Sequence, residues 1–100
     1  MLSINEKMDG NTLTVTLNGK ITSTTAPDLT SVLEGKLESL DKLIFDFSGL
    51  EYITSAGIRI ILNALQTLEE HDAEMVLRNV NDDIMDVFRM TGFLEVLTIE

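Results

Sequence analysis

The sequence predicts an α/β fold in which a mixed β-sheet with interspersed α-helices forms a single compact domain. Residues 13–17 alternate apolar and polar side chains, which indicates a strand with one solvated face. Residues 43–47 are a nearly continuous apolar run, typical of a central strand covered on both faces as in a parallel sheet. Helical and strand patterns then alternate along the chain. At 100 residues we expect one domain spanning residues 1–100.

The first two predicted strands form a hairpin. Leu13, Val15 and Leu17 alternate with threonines on the solvated side of one strand. Residues 2–8 are the candidate partner strand, and residues 9–11 (Asp-Gly-Asn) between them are a short turn signal. We therefore expect an antiparallel pair at the start of the chain.

The first helix is predicted to begin after Thr25. The Thr25 side chain is placed to cap this helix, and Asp28 is placed to return the bond three residues later. An apolar stripe follows at spacings of three or four, and Gly35 weakens its middle by about 1 kcal/mol relative to alanine. The stripe consists of Ala26, Leu29, Val32, Leu33, Leu37 and Leu40.

The second half of the chain predicts two more helices and two more strands. A loop over residues 48–54 follows the central strand and leads to a helix from Ser55 onward. Residues 74–77 form the next strand. Asn81 then caps a third helix, Gly92 ends it, and residues 94–99 form a last strand.

Composition excludes several classes of function. The chain has 7 basic and 17 acidic residues, a net charge of −10, which argues against nucleic acid as a partner because phosphate backbones bind clustered cations. Charges break the chain too often for a membrane-spanning segment, so we expect no membrane insertion, and the N-terminus lacks a basic flank followed by an apolar run, so we expect no signal peptide. No cysteine is present, which excludes disulfides and is compatible with the cytoplasm.

The junction at Thr54 and Ser55 carries two interpretations. Either hydroxyl could cap the helix, which stabilises it by about 1 kcal/mol, while Ala56 and Gly57 let helix and strand approach closely. Alternatively Ser55 is phosphorylated, since a phosphate at a helix N-terminus meets free N–H groups and the positive end of the dipole. Such a modification adds about −1.5 to −2 charges to a docking surface without unfolding the domain.

Three segments in this order resemble the STAS domain, and within it the bacterial anti-sigma factor antagonists. Residues 46–58 are similar to the family's strand ending in Asp-x-Ser followed by a Tyr-hydrophobic-Asp-Ser-small-Gly-Leu segment. Residues 19–27 resemble its Gly-Glu-Leu-Asp-x-x-Thr-Ala segment. Residues 87–93 resemble its Phe-x-x-x-Gly-hydrophobic signature in the final helix. The resemblance covers nearly the whole chain and implies a STAS-type mixed sheet.

The resemblance implies a binding protein, not an enzyme, that binds an anti-sigma factor and thereby releases a sigma factor. The anti-sigma factor would be a GHKL-type, ATP-dependent serine kinase that phosphorylates Ser55, with Thr54 as second choice, and a metal-dependent serine phosphatase would reverse the modification. This chain has Thr22 and Thr54 where the family has aspartates. The partner-binding residues would be Thr22, Ser23, Thr24, Asp46, Ser48, Thr54, Ser55, Ala56, Gly57, Ile58 and Arg59.

Other interpretations of single residues stay open. Asp46 acts near the phosphorylation site or is hydrogen-bonded to the N–H groups of the next loop. Arg59 contacts a partner or a phosphate, or is a solvated helical cation. His71 lies among acidic residues, but no second histidine or cysteine completes a metal site, so we expect no metal and no cofactor.

Two rival functions remain. The same fold could serve as an accessory subunit of a lipid or solute transporter, or as a signalling scaffold, without a phosphorylation cycle. An enzyme that uses the hydroxyls of residues 48–55 would need a base, and His71 lies at the far end of the second predicted helix.

Overall fold

Four strands and three α-helices follow one another in the order β-β-α-β-α-β-α in the computed structural model, which describes residues 2–100. The strands are β1 (Leu2–Asp9), β2 (Thr12–Ile21), β3 (Lys42–Ile53) and β4 (Glu74–Arg78). The helices are α1 (Ala26–Leu33), α2 (Ser55–Glu69) and α3 (Asp82–Thr91), with 3₁₀ turns at Leu37–Ser39 and Phe93–Glu95. None of the helices in this part of the chain is long and apolar enough to cross a membrane.

The strands form one mixed sheet in the order β1-β2-β3-β4. β1 runs antiparallel to β2, whereas β3 is parallel to both β2 and β4. Ile4 lies opposite Leu17, and Gly10 takes a φ of +61° in the turn of the hairpin. The predicted hairpin and the mixed α/β sheet are therefore confirmed.

The helices cover only one face of the sheet. Leu13, Phe45 and Leu77 belong to the core cluster that also contains the buried residues of α1, α2 and α3. Ile44 and Val76 point to the opposite face and lie outside this cluster, although they are only 6 % and 3 % exposed. The central strand is therefore buried on both of its faces, as predicted, although the helices pack against only one of them.

α1 is shorter than its apolar stripe predicts. It ends at Leu33, and Gly35, with a φ of +76°, turns the chain into the 3₁₀ turn that contains Leu37. The predicted Thr25 cap is also wrong, since the Thr25 hydroxyl donates to the Lys20 carbonyl oxygen at 2.9 Å. A position with positive φ outweighs the helical spacing here.

β3 continues through the segment that we expected to be a loop. It runs twelve residues to Ile53, and Leu50 and Ile53 are each 2 % exposed. Two irregularities in its register with β2, near Asn18 and near Lys20, leave an extra β3 residue at each point. Irregular pairing breaks the alternation of side chains, so the sequence pattern there looks like a loop.

The end of the chain confirms one prediction and corrects another. Asn81 Oδ1 accepts a hydrogen bond from the Ile84 N–H at 2.8 Å, and Gly92, with a φ of +81°, ends α3. The predicted last strand is absent from the described residues, where a 3₁₀ turn precedes a single parallel bridge between Ile99 and Leu77.

Candidate functional site

The parallel strands β2 and β3 end side by side. Ile21 and Ile53 are register partners, and each is followed by a short connection to a helix. Thr54 joins the two connections, since its N–H donates to the Ile21 carbonyl oxygen at 3.0 Å and its hydroxyl donates to the same oxygen at 3.2 Å. The strand ends therefore bring residues 22–25 close to the start of α2, as expected for functional loops of parallel sheets.

Residues 22–25 form a turn held by threonine hydroxyls. The Thr22 N–H donates to Thr25 Oγ1 at 2.8 Å, and the Thr24 N–H donates to Thr22 Oγ1 at 3.2 Å. The Ala26 N–H donates to the Thr22 carbonyl oxygen at 2.8 Å. Ser23 and Thr24 stay exposed on this turn, so the turn presents two polar side chains on a fixed backbone.

Gly57 allows α2 to approach the strands. A Cβ atom at Gly57 would lie 2.6 Å from Ile21 Cγ2 and 2.7 Å from Ile53 Cγ1, closer than side-chain carbons pack. The predicted close approach at Gly57 is confirmed. Gly57 and Ile58 are buried, so they position the helix and contribute little surface to a partner.

Ser55 is the first residue of α2 and is exposed. Its hydroxyl makes no hydrogen bond within residues 2–100, and the Thr54 hydroxyl is engaged with Ile21 instead of the helix. The interpretation that either hydroxyl caps the helix is therefore wrong. The first turn of α2 also contains no acidic residue, so its free N–H groups are open to an added anion.

Two shallow grooves flank the exposed side of α2. One lies between α1 and α2 and is lined by residues that include Ser23, Pro27 and Ala56. The other lies between α2 and the end of α3, where Ser55, Leu62 and Phe93 contribute. Arg59 lines both grooves and so marks the ridge between them. Three groove residues, Pro27, Leu62 and Phe93, were not predicted to bind a partner, although Pro27 and Phe93 belong to segments that resemble the family.

Asp46 and Ser48 lie away from this surface. Asp46 is the register partner of Thr16, five residues before Ile21, so it is roughly 15 Å from the strand ends. Asp46 Oδ1 accepts from Asn79 Nδ2 at 3.0 Å and from the Ser48 N–H at 2.9 Å. Of its two interpretations, the hydrogen-bonded one is confirmed. The other nine predicted partner-binding residues, from residues 22–24 and 54–59, lie together.

These hydrogen bonds lower the pKa of Asp46 below its ordinary value of 3.8, with the Asn79 amide as the largest cause. A carboxyl group with a lowered pKa in the folded chain stabilises the fold above its unfolded pKa, and this contribution is lost as the pH falls through the folded pKa. We expect Asp46→Ala to lower the free energy of unfolding by about 1–2 kcal/mol at pH 7.

Urea unfolding of wild type and Asp46→Ala at pH 7 and pH 3 measures this contribution. The difference in free energy of unfolding between wild type and Asp46→Ala should be smaller at pH 3 than at pH 7. The control is Glu51→Ala on the same strand, an exposed carboxylate without a hydrogen bond in the described residues, which measures the cost of an alanine substitution in β3 itself. If Asp46→Ala lowers the free energy of unfolding by the same amount at both pH values, the ionised Asp46 carboxylate does not stabilise the fold as argued.

His71 lies at the other end of α2. Its Nε2 is 2.8 Å from the Leu40 carbonyl oxygen, so the ring tethers the helix end to the chain before β3. No group of three or more histidine, cysteine, aspartate or glutamate residues within residues 2–100 is arranged to hold a metal ion.

Comparison with known proteins identifies the family. The sequence profile described as "STAS domain" matches residues 3–100. The chain is 30 % identical over 95 residues to the "Putative anti-sigma factor antagonist BtrV" of Bordetella bronchiseptica, covering 94 % of this chain and 81 % of that protein.

Solved structures agree with this fold. An anti-sigma factor antagonist from Mycobacterium paratuberculosis matches with a TM-score of 0.84 at 20 % identity, covering 99 % of this chain and 85 % of that one. The phosphorylated form of the Bacillus cell fate determinant SpoIIAA matches with a TM-score of 0.79 at 17 % identity, covering 98 % and 91 %. The chain belongs to the STAS domain family, among the bacterial anti-sigma factor antagonists.

Proposed function

We propose that this protein binds an anti-sigma factor through the exposed start of α2 and the neighbouring turn of residues 22–25. The anti-sigma factor is a GHKL-type serine kinase, and its capture releases a sigma factor. Phosphorylation of Ser55 ends the complex, and a metal-dependent serine phosphatase restores it. The observation that carries the proposal is the exposed Ser55 hydroxyl, without a hydrogen bond in residues 2–100, between two grooves at the first residue of α2.

The acceptor must reach the active site of a kinase. In the transfer, Ser55 Oγ attacks the γ-phosphorus of ATP, the bond between that phosphorus and the ADP oxygen breaks, and the hydroxyl proton passes to a base of the kinase. Ser55 is exposed, whereas the Thr54 hydroxyl is half-buried and already donates to Ile21. These surroundings favour Ser55 over Thr54 as the acceptor.

A phosphate on Ser55 is compatible with the fold. The first turn of α2 offers free N–H groups and the positive end of the helix dipole. The added charge of about −1.5 to −2 would remain on the surface and would repel an acidic or apolar partner surface. Modification therefore changes binding and leaves the domain folded.

Thr22 and Thr54 replace two aspartates of the family pattern, and both have structural hydrogen bonds. Thr22 Oγ1 accepts from the N–H of Thr24, and the Thr54 hydroxyl donates to Ile21. The local backbone is thus held without carboxylates. We infer that the partner of this chain recognises a less acidic surface around Ser55.

A binding role fits the surroundings of Ser55 better than catalysis does. Nucleophilic serines need a base within hydrogen-bonding distance. The single histidine, His71, follows the carboxyl end of α2, and this helix of fifteen residues is about 22 Å long. The proposed cycle takes place in the cytoplasm, where sigma factors act, and involves no nucleic acid and no cofactor held by this chain.

Phosphopeptide mapping tests the modification site. The protein is incubated with ATP and extract from its native organism, recovered, digested and analysed by mass spectrometry. We expect phosphate on the Ser55 peptide of wild type and of Thr54→Ala, and none on that peptide of Ser55→Ala. Phosphate found only at other residues would contradict the proposed switch.

A further inference from the structure

Arg59 differs from the other two arginines of the chain in its surroundings, and it lies near the proposed site. The α2 sequence contains only two charged residues, Arg59 and Glu69 at its last position, in a chain with 24 % charged residues. The other two arginines pair with carboxylates, Arg78 with Glu100 at 2.9 Å and Arg89 with Asp86 at 2.5 Å. Within residues 2–100, Arg59 makes no such pair.

The position of Arg59 relates it directly to Ser55. The two residues are four apart on one helix, so their side chains lie on the same face one turn from each other. Both are exposed, and both line the groove between α2 and the end of α3. Helical side chains lean toward the N-terminus of their helix, so the long Arg59 side chain is able to reach back to Ser55.

We propose that Arg59 receives the phosphate of Ser55 and holds it against the first turn of α2. This inference rests on the proposed function only in taking Ser55 as the modified residue. The guanidinium can donate two parallel hydrogen bonds to phosphate oxygens, while free N–H groups of the first turn donate to the same group.

This pairing gives the modification two effects on the partner surface. The phosphate adds negative charge, and it also withdraws the Arg59 guanidinium, which in the unmodified protein has no ion pair within residues 2–100 and lines both grooves. A partner that contacts Arg59 with a carboxylate loses that contact when Ser55 is modified. Because the chain has a net charge of −10, neutralising one cation leaves the partner-binding surface more negative.

The test uses protein in which phosphoserine is installed at position 55 during translation, so that no kinase is needed. Phosphorus NMR follows the second ionisation of the phosphate across pH in wild type, Arg59→Gln and Arg59→Lys. The control is Arg89→Gln, which removes an exposed arginine already paired with Asp86. Circular dichroism verifies that each variant is folded.

We expect the second acid dissociation constant of the phosphate to be about twofold larger with Arg59 than with glutamine, as for a favourable pair one helical turn apart. Lysine should give an intermediate value because it cannot form the two-bond contact. Arg89→Gln should match wild type. Equal ionisation in wild type and Arg59→Gln would overturn the proposal.

The result is independent of the proposed function. If the phosphate ionises equally in wild type and Arg59→Gln while mapping finds phosphate on Ser55, the Arg59–phosphate pair is contradicted and the proposed phosphorylation switch is supported. If Arg59 shifts the ionisation but mapping finds no phosphate on Ser55, the pairing holds in the installed phosphoprotein and the proposed regulation fails.

Discussion

Ser55→Asp is expected to weaken binding to the anti-sigma kinase by about tenfold or more, whereas Ser55→Ala should bind like wild type. A carboxylate at this position adds negative charge to the centre of the proposed contact surface, and like-charge or desolvation penalties of about 1.4 kcal/mol already give tenfold. Alanine removes a hydroxyl without a hydrogen bond in residues 2–100 and adds no charge. Titration calorimetry with the purified kinase measures the three affinities.

The matched control for Ser55→Asp places the same new charge elsewhere. Ser39 is exposed in the 3₁₀ turn that precedes β3, at the opposite end of the parallel strands. Ser39→Asp should keep the wild-type affinity. Equal affinities for Ser55→Asp and Ser55→Ala, with both variants folded, would show that charge at Ser55 does not control the complex.

Gly57→Ala is expected to have the largest effect on stability, lowering the free energy of unfolding by about 1–3 kcal/mol. The new methyl group would lie within 2.7 Å of side-chain carbons of Ile21 and Ile53, both at most 2 % exposed. Because both isoleucines are buried in the core, relieving these contacts requires α2 or the strand ends to shift. Chemical denaturation measures the loss, and we expect weaker partner binding to accompany it.

Gly49→Ala is the control for this effect. A Cβ atom at Gly49 would lie 1.6 Å from Asn18 Oδ1, yet Asn18 is exposed and its side chain can rotate away. We therefore expect Gly49→Ala to lower the free energy of unfolding by less than Gly57→Ala does. A larger loss for Gly49→Ala would contradict the argument that the rigidity of the neighbours determines the penalty.

Much of the fold follows from local sequence signals. The hairpin at Gly10, the Asn81 cap and the end of α3 at Gly92 depend on nearby residues, and all three are confirmed. The early end of α1 has a local cause in the positive φ of Gly35, whereas the error in β3 lies where tertiary contacts decide the structure. β3 continues to Ile53 because β2 pairs with it across two irregularities, and no periodic pattern shows that pairing.

The candidate site was predictable in part. Parallel strand ends and the family resemblance both directed attention to Ser55, and the structure brings Thr22 and Thr54 beside it. Asp46 was wrongly predicted to lie in the partner-binding surface. The predicted loop over residues 48–54 is mostly a continuation of β3, so Asp46 lies roughly 15 Å from the ends of β2 and β3. The Thr54 hydroxyl caps no helix because the Ile21 carbonyl oxygen, 33 residues earlier, accepts its hydrogen bond.

The most direct test of the switch compares two baits, the unmodified protein and the protein with phosphoserine installed at position 55. Each is incubated with lysate of the native organism, and the retained proteins are quantified by mass spectrometry. We expect the unmodified bait to retain a serine kinase of the anti-sigma type and the phosphorylated bait to lose it. Retention of the same transporter component or scaffold by both baits would contradict a phosphorylation switch at Ser55.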